Sequence, residues 1–231
     1  MFELSDRELK NWLYDQLSSL FRALGSPHRY EIIDLLAQGE HTVEELAAET
    51  AMTIANTSQH LQQLRTARLV AVRRAGNEMH YRLADDAIPG LLQLAQSIVR
   101  AHLAEVDRIF SHLEQVRKEL TLVPFATLQE QLETQTAIAL DVRPESEYNA
   151  GHIPGAYSLP LNRLQKDLHR LSRDLPLVVY CRGYYSTLSD QAIRLLNEQG
   201  IPASRLEMGF LEWKNQGLPV EKGPAGDKSF S

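Results

Sequence analysis

The chain has 231 residues, 43% of them hydrophobic and 23% charged, enough for one large or two small folded domains of an ordinary globular protein. A single cysteine excludes an intramolecular disulfide and points to a reducing compartment, while the N-terminal Met1-Phe2-Glu3-Leu4-Ser5-Asp6-Arg7-Glu8 lacks the pattern of a signal peptide. No apolar run is long enough to cross a bilayer, so the expected location is the cytoplasm. The net charge of −6 argues against a uniformly basic nucleic-acid binder, yet residues 53–82 set Arg65, Arg68, Arg73, Arg74 and Arg82 against Glu78 alone, a local balance of +4.

In chain order, Ser5 and Glu8 form a capping box for a helix carrying Leu9, Leu13, Leu17, Leu20, Phe21 and Leu24, stopped at Gly25. Ser26-Pro27 opens a second helix with Ile32, Ile33, Leu35 and Leu36, ending at Gly39. Thr42 and Glu45 cap a short third helix, and Thr53 starts a fourth through Leu64. Alternating apolar residues, Val70/Val72 and Met79/Tyr81/Leu83, flank Arg73-Arg74-Ala75-Gly76-Asn77 as a hairpin. The third and fourth helices read as a helix-turn-helix whose second member presents Asn56, Thr57, Ser58, Gln59 and His60. Asn and Gln can pair bidentately with adenine, and Ser or Thr hydroxyls reach phosphate or base edges. The hairpin, with Arg73, Arg74 and Asn77 at its tip, fits a wing on the phosphate backbone.

From Ile88 to Leu120, apolar positions alternate steps of four and three: Ile88, Leu92, Ala95, Val99, His102, Val106, Ile109, Leu113, Val116, Leu120. That is a coiled-coil seam, predicting one long helix that either pairs with its own copy or packs on its own N-terminal domain. Lone His102 on the seam fits a register-fixing residue. After Val123-Pro124 the pattern becomes short strands (137–140, 156–159, 177–180, 204–206) alternating with helices (near 127–134, 162–171, 186–199 and 210–216), the mark of a covered parallel sheet. The expected organisation is residues 1–87 as a helix-turn-helix domain, 88–122 as a linking and dimerising helix, 123–222 as an α/β domain, and 223–231 as a disordered tail.

Cys181 directly follows the apolar run Pro176-Leu177-Val178-Val179-Tyr180 and precedes Arg182-Gly183-Tyr184-Tyr185-Ser186-Thr187 and a helix. A strand ending in Cys and turning through Gly into a helix N-terminus is a cradle for a nucleophilic thiolate. The alternative is an inert, buried small hydrophobe.

Three stretches carry resemblances. Residues 20–36, 58–70 and 73–83 resemble the opening, recognition helix and wing of the ArsR/SmtB winged-helix repressors, over roughly residues 17–105. The likeness implies a homodimer on palindromic operator DNA, usually a repressor released by an effector. Metal sensors of that family often carry Cys-x-Cys before the recognition helix; here Thr42-Val43-Glu44-Glu45-Leu46-Ala47-Ala48-Glu49 holds no thiol, and His102, Asp107 and His112 depart from the usual spacing, so no metal or other cofactor is expected.

Residues 140–156, the Tyr180-to-Ser186 loop and Gly209-Phe210-Leu211-Glu212-Trp213 resemble the ordered motifs of rhodanese-type sulfurtransferases, over about residues 125–221. The resemblance implies that Cys181 accepts a sulfane sulfur from a small donor and passes it to a thiol acceptor. Arg182 would then favour an anionic donor, and the N–H groups of the Gly183, Tyr184, Tyr185 and Ser186 loop would hold the anion. Phosphatases of this fold need arginine six positions after the cysteine, where Thr187 stands, so the loop favours sulfur over phosphate. Related fusions place a second cysteine where Ser186 stands. Asp141, Arg143 and His152 fit structural supports, and Tyr184 and Tyr185 either gate the pocket or decorate the surface. Two readings remain: a DNA-binding regulator that senses or handles reactive sulfur, or a sulfurtransferase merely localised by its helix-turn-helix module.

Overall fold

The computed structural model describes residues 5–171 and 174–224 and divides into two units, Met1–Ser97 and Ile98–Ser231. In the first, α1 (Asp6–Leu24) begins with a reciprocal cap, Ser5 accepting the Glu8 N–H while the Glu8 carboxylate takes the Ser5 N–H. Helix α2 (Pro27–Gln38) has proline in its first turn, where no N–H is needed. A second capping box, Thr42 with Glu45, opens α3 (Val43–Glu49), and the Thr53 hydroxyl caps α4 (Ile54–Thr66). Strands β2 (Val70–Ala75) and β3 (Glu78–Leu83) form the hairpin, and β1 (His41–Thr42) adds to it antiparallel in the order β1-β3-β2. Strand β1 went unpredicted because two residues carry no alternation to read. Ile32, Ile33, Leu36, Leu46, Leu61 and Leu64 close the core beneath the α3–α4 pair.

The expected single helix over 88–120 is two: α5 (Ile88–His102) and α6 (Ala104–Arg117), with Leu103 extended between them at φ −113°, ψ 101°. Within its own unit α6 applies a different face from the seam, Phe110, Glu114 and Arg117, to a loop of the α/β fold. Those tertiary contacts override the straight helix that the apolar spacing alone favours.

The second unit continues with β4 (Leu122–Val123), α7 (Phe125–Glu133), β5 (Ile138–Asp141), α8 (Glu145–Ala150), β6 (Tyr157–Ser158) and α9 (Leu161–Asp167), the last followed by a tight turn over Leu168–Arg170. Then come β7 (Leu177–Tyr180), α10 (Leu188–Glu198), β8 (Ala203–Leu206) and α11 (Phe210–Asn215). The five strands lie in the order β4-β8-β7-β5-β6, every neighbouring pair parallel. Strands β5 and β7 are buried along their whole length, which is why they read as unbroken apolar runs. One apolar layer gathers Leu140, Leu164, Ile193 and Leu196; the other gathers Leu128, Tyr148, Phe210 and Trp213. The sequence pattern missed β4 and α8, both short. Of the tail expected from 223 onward, residues 225–231 lie outside the described residues. Among the described residues no helix is long and apolar enough to cross a membrane.

Candidate functional site

Cys181 leaves the C-terminal end of central strand β7, the edge at which open parallel sheets offer ligand crevices. Its side chain is 1% exposed. The loop from Arg182 to Ser186 separates it from α10, whose cap is Thr187, so the thiol is not at the helix N-terminus itself. The Sγ faces the carbonyls of Gly183 at 4.0 Å and Ser186 at 3.8 Å. The Tyr184 N–H donates to Glu212 Oε1 at 3.2 Å and the Ser186 N–H to the Gly183 carbonyl at 3.1 Å. The cradle expected from the loop amides is thus partly engaged elsewhere.

Two glycines sit where a Cβ would meet a neighbour, Gly183 a side chain that can shift and Gly209 backbone that cannot. The Glu212 carboxylate, also accepting the Gly209 N–H at 2.9 Å, lies so close that a Cβ on Gly183 would stand 3.1 Å from Oε1. Gly209 itself is in backbone contact with the loop: a Cβ there would come within 2.4 Å of Gly183 Cα and N. The Phe210 and Leu211 N–H groups then bond the Cys181 and Arg182 carbonyls, so the start of α11 stitches the loop down.

Arg182 does not await an anionic donor. It binds buried Glu147 on α8, Nη2 to Oε1 at 2.6 Å and Nε to Oε1 at 2.9 Å, and this pairing neutralises its charge within the fold. Sequence reasoning missed the residues that hold the loop from the other side. Buried Arg117 of α6 donates Nη1 to the Tyr184 carbonyl at 2.7 Å, Nη2 to the Ser186 carbonyl at 3.2 Å, and Nε and Nη2 to Asp190 Oδ2 at 3.1 and 3.0 Å. Asp190 in turn accepts Arg205 Nε on Oδ1 at 2.9 Å. The Tyr184 hydroxyl donates to Glu114 at 2.8 Å, and Arg100 Nη2 reaches the same carboxylate at 2.7 Å. These two donors, Tyr184 first, hold Glu114 below the usual carboxylate range, while burial foremost raises Tyr184. The Tyr185 ring lies 4.8 Å from Phe110 and edge-on to Tyr184 at 5.4 Å. Both tyrosines therefore join the loop to α6, Tyr184 half-buried and Tyr185 still 38% exposed.

Asp141, Arg143 and His152 are supports. Arg143 and Asp141 are fully buried and paired at 2.6 Å, and Arg143 also donates to the Gly151 carbonyl at 2.8 Å and lies 4.1 Å over the Phe210 ring. Desolvation, then Asp141, raises Tyr180 well above its ordinary value, so its hydroxyl stays neutral and accepts the Ile153 N–H. His152 stacks on Tyr148 at 3.7 Å with Nδ1 against the Tyr148 carbonyl at 2.8 Å.

In the first unit, α4 exposes Ser58 and Gln59, with Asn56 half-buried and its amide 3.4 Å from Met52 Sδ. Thr57 is a correction: fully buried, its hydroxyl donates to the Thr53 carbonyl at 3.1 Å, leaving nothing for a base or phosphate. His60 is half-buried at 5.5 Å from His28; desolvation foremost, then Arg29 and His28, lowers its pKa. At the wing, Gly76 takes φ +63° and Asn77 is exposed. Arg74 is exposed and donates to the nearby Gly76 carbonyl at 3.0 Å, whereas Arg73 is paired with Glu40 at 2.6 Å. Among the described residues no three His, Cys, Asp or Glu side chains converge on a possible metal position.

A winged helix-turn-helix followed by a parallel α/β fold places the chain in the class of two-domain proteins that append an α/β domain to a DNA-binding module. Residues 26–72 match the arsR family of bacterial regulatory proteins, and residues 125–216 match the rhodanese-like domain. The HTH-type transcriptional regulator Rv0324 of Mycobacterium tuberculosis is 38% identical over 96% of this chain and 97% of its own length. The chain belongs to that family: it is an ArsR-type transcriptional regulator with a C-terminal rhodanese-like domain. A protein of Allochromatium vinosum named Sulfurtransferase is 30% identical over 38% of this chain and 81% of its own length. The homodimeric winged helix-turn-helix DNA-binding domain of Mb0332 from Mycobacterium bovis is 39% identical over 46% of this chain and 95% of its own, with a TM-score of 0.41.

Proposed function

We propose that the chain is a cytoplasmic, homodimeric repressor of operator DNA whose rhodanese-like domain takes up reactive sulfur as a Cys181 persulfide, and that this state alters DNA binding. The observation that carries the reading is the placement of the only thiol, Cys181, on a loop bound directly to α6, the helix that follows α5. In the reaction the Cys181 thiolate attacks the outer sulfur of a persulfide donor, the donor's S–S bond breaks, and the donor leaves as a thiolate: Cys–S⁻ + R–S–SH → Cys–S–SH + R–S⁻. DNA is read by Gln59, Ser58 and Asn56 on α4, with Arg74 and Asn77 of the wing on phosphate and His60 at the inner margin.

Self-association draws on apolar faces that are exposed among the described residues. On α1, Leu9, Leu13, Leu17 and Phe21 recur at helical spacing and are 46–57% exposed. Leu94 and Ile98 on α5 are similarly bare. The working boundaries are residues 1–87 for the DNA-binding domain, 88–122 for the linker and 123–222 for the rhodanese-like domain.

Intact mass spectrometry after treatment with glutathione persulfide tests the chemistry: wild type gains one sulfur, about 32 Da, and Cys181→Ser gains none. An adduct that forms equally in Cys181→Ser would end the proposal. A second reading, a sulfurtransferase enzyme tethered by its DNA-binding module, is favoured by the likeness to the Allochromatium protein. It requires repeated turnover to a thiol acceptor with no effect of sulfur on DNA affinity.

A further inference from the structure

We infer that Arg117, on the linker helix and outside the rhodanese-like motifs, is the positioning residue of the Cys181 loop, holding it in the form that accepts an anionic sulfur. The inference rests on the sulfur reading above and names a residue that the reading itself does not require.

A persulfide or thiolate is an anion, and Sγ faces two carbonyl oxygens, those of Gly183 at 4.0 Å and Ser186 at 3.8 Å. Carbonyl oxygens turned toward an anion repel it, so a positive group that offsets them favours the anionic form. The other charged and titratable groups around the loop are committed or negative. Arg182 is bound by Glu147 of α8, Glu212 of α11 brings a carboxylate, and Asp190 of α10 lies between Arg117 and Arg205 of β8. Glu114 of α6 is shared by Tyr184 and Arg100 of α5, and Tyr185 stays neutral, raised chiefly by burial.

Arg117 supplies what is missing in two ways. Its guanidinium donates to the Ser186 carbonyl, one of the two that face the sulfur, and draws electron density from it. It also donates to the Tyr184 carbonyl at 2.7 Å. In a trans peptide the carbonyl and the following N–H point opposite ways, so a Tyr184 carbonyl held toward α6 sends the Tyr185 N–H away from α6. At Ser186, whose carbonyl faces the sulfur, the same geometry turns the Thr187 N–H away from it, so there Arg117 acts on the carbonyl alone. Arg117 therefore presets the Tyr184–Tyr185 peptide as well as adding charge. Its net charge counts because Asp190 is divided between Arg117 and Arg205, leaving the buried triad one positive charge in excess.

The single cysteine makes the test site-specific. Iodoacetamide alkylation of the full-length protein is followed across pH, with Trp213 fluorescence in a Trp12→Phe background confirming the fold, beside the rate of the sulfur adduct from glutathione persulfide. Asp190 keeps Arg205 when Arg117 is replaced, so the charge left behind is not orphaned. Arg117→Gln moves the alkylation midpoint upward by about half to one pH unit and slows sulfuration about three- to tenfold at neutral pH. Arg117→Lys, which keeps the charge but cannot fork to two carbonyls, moves it upward by less and recovers part of the rate. A folded variant of either kind with the wild-type midpoint overturns the inference, and if Arg117→Gln does not fold, Arg117→Lys decides it. The outcomes separate from those of the sulfur reading. A wild type that alkylates normally but takes up no sulfur refutes that reading, while the alkylation midpoints still judge Arg117.

Discussion

Replacing Gly209 by alanine should disturb the second unit more than any other glycine-to-alanine change around the cysteine loop. The added Cβ would stand 2.4 Å from both Cα and N of Gly183 and 2.8 Å from the Arg182 carbonyl carbon, all of them backbone atoms. Carbon atoms rest at about 3.5–4.0 Å, so roughly 1 Å must come from moving the Cys181 loop or the start of α11. Those two segments are joined by the Phe210 and Leu211 N–H bonds to the Cys181 and Arg182 carbonyls, so no side chain can turn aside. Overpacking typically costs about 1–3 kcal/mol, and this case belongs at about 3. At about 2–4 °C per kcal/mol, the melting temperature falls by roughly 6–12 °C. Gly217→Ala is the comparison: its φ of +72° is unfavourable, but nothing lies within 4 Å, so only the conformational cost of about 1–2 kcal/mol applies. Gly183→Ala meets the Glu212 carboxylate, which can rotate at the cost of its bond from Tyr184 N–H, about 1 kcal/mol. Urea titration followed by Trp213 fluorescence in a Trp12→Phe background reads the three variants. Gly209→Ala as stable as Gly217→Ala would refute the steric reasoning.

Arg74→Ala should weaken binding to every DNA sequence and reduce the slope of log K against log salt by about 0.9, one phosphate's share, while Gln59→Ala loses about 1–3 kcal/mol on one base pair only; fluorescence anisotropy across salt and site variants separates them. Arg73→Ala should change the slope less, because Glu40 already engages that side chain. Asp141→Asn leaves Arg143 charged and buried without its carboxylate, costing about 3–5 kcal/mol, seen as a lower urea midpoint and checked by calorimetry. Paired Leu13→Asp and Leu17→Asp substitutions should split the dimer in sedimentation, and an intact dimer would move the interface off α1.

Local signals carried most of the fold into view from sequence. The capping boxes at Ser5/Glu8 and Thr42/Glu45 act over three residues and were readable as such. The buried runs of β5 and β7 announced a covered parallel sheet. Short elements escaped: β1 and β4 have two residues each, too few for any period. The break at Leu103 escaped because neither Gly nor Pro marks it and the apolar seam runs straight across; its cause is the docking of α6 on a loop distant in sequence. The same distance hid much of the site. Arg117 and Asp190 are 73 positions apart, and Arg182 and Glu147 are 35 apart, so neither pairing leaves a local trace. Thr57 was readable: with Leu61 and Leu64 it forms an i, i+4, i+7 stripe on the core face of α4.

Operator affinity in two sulfur states tests whether Cys181 governs DNA binding. A duplex selected from random sequence by the reduced protein is titrated with wild type and with Cys181→Ser, each before and after glutathione persulfide, the adduct being verified by mass. A coupling of about 1–3 kcal/mol changes the wild-type dissociation constant roughly 5- to 150-fold and leaves Cys181→Ser unmoved. Full sulfuration of Cys181 with unchanged affinity, or an equal response in Cys181→Ser, would rule out control of DNA binding by Cys181.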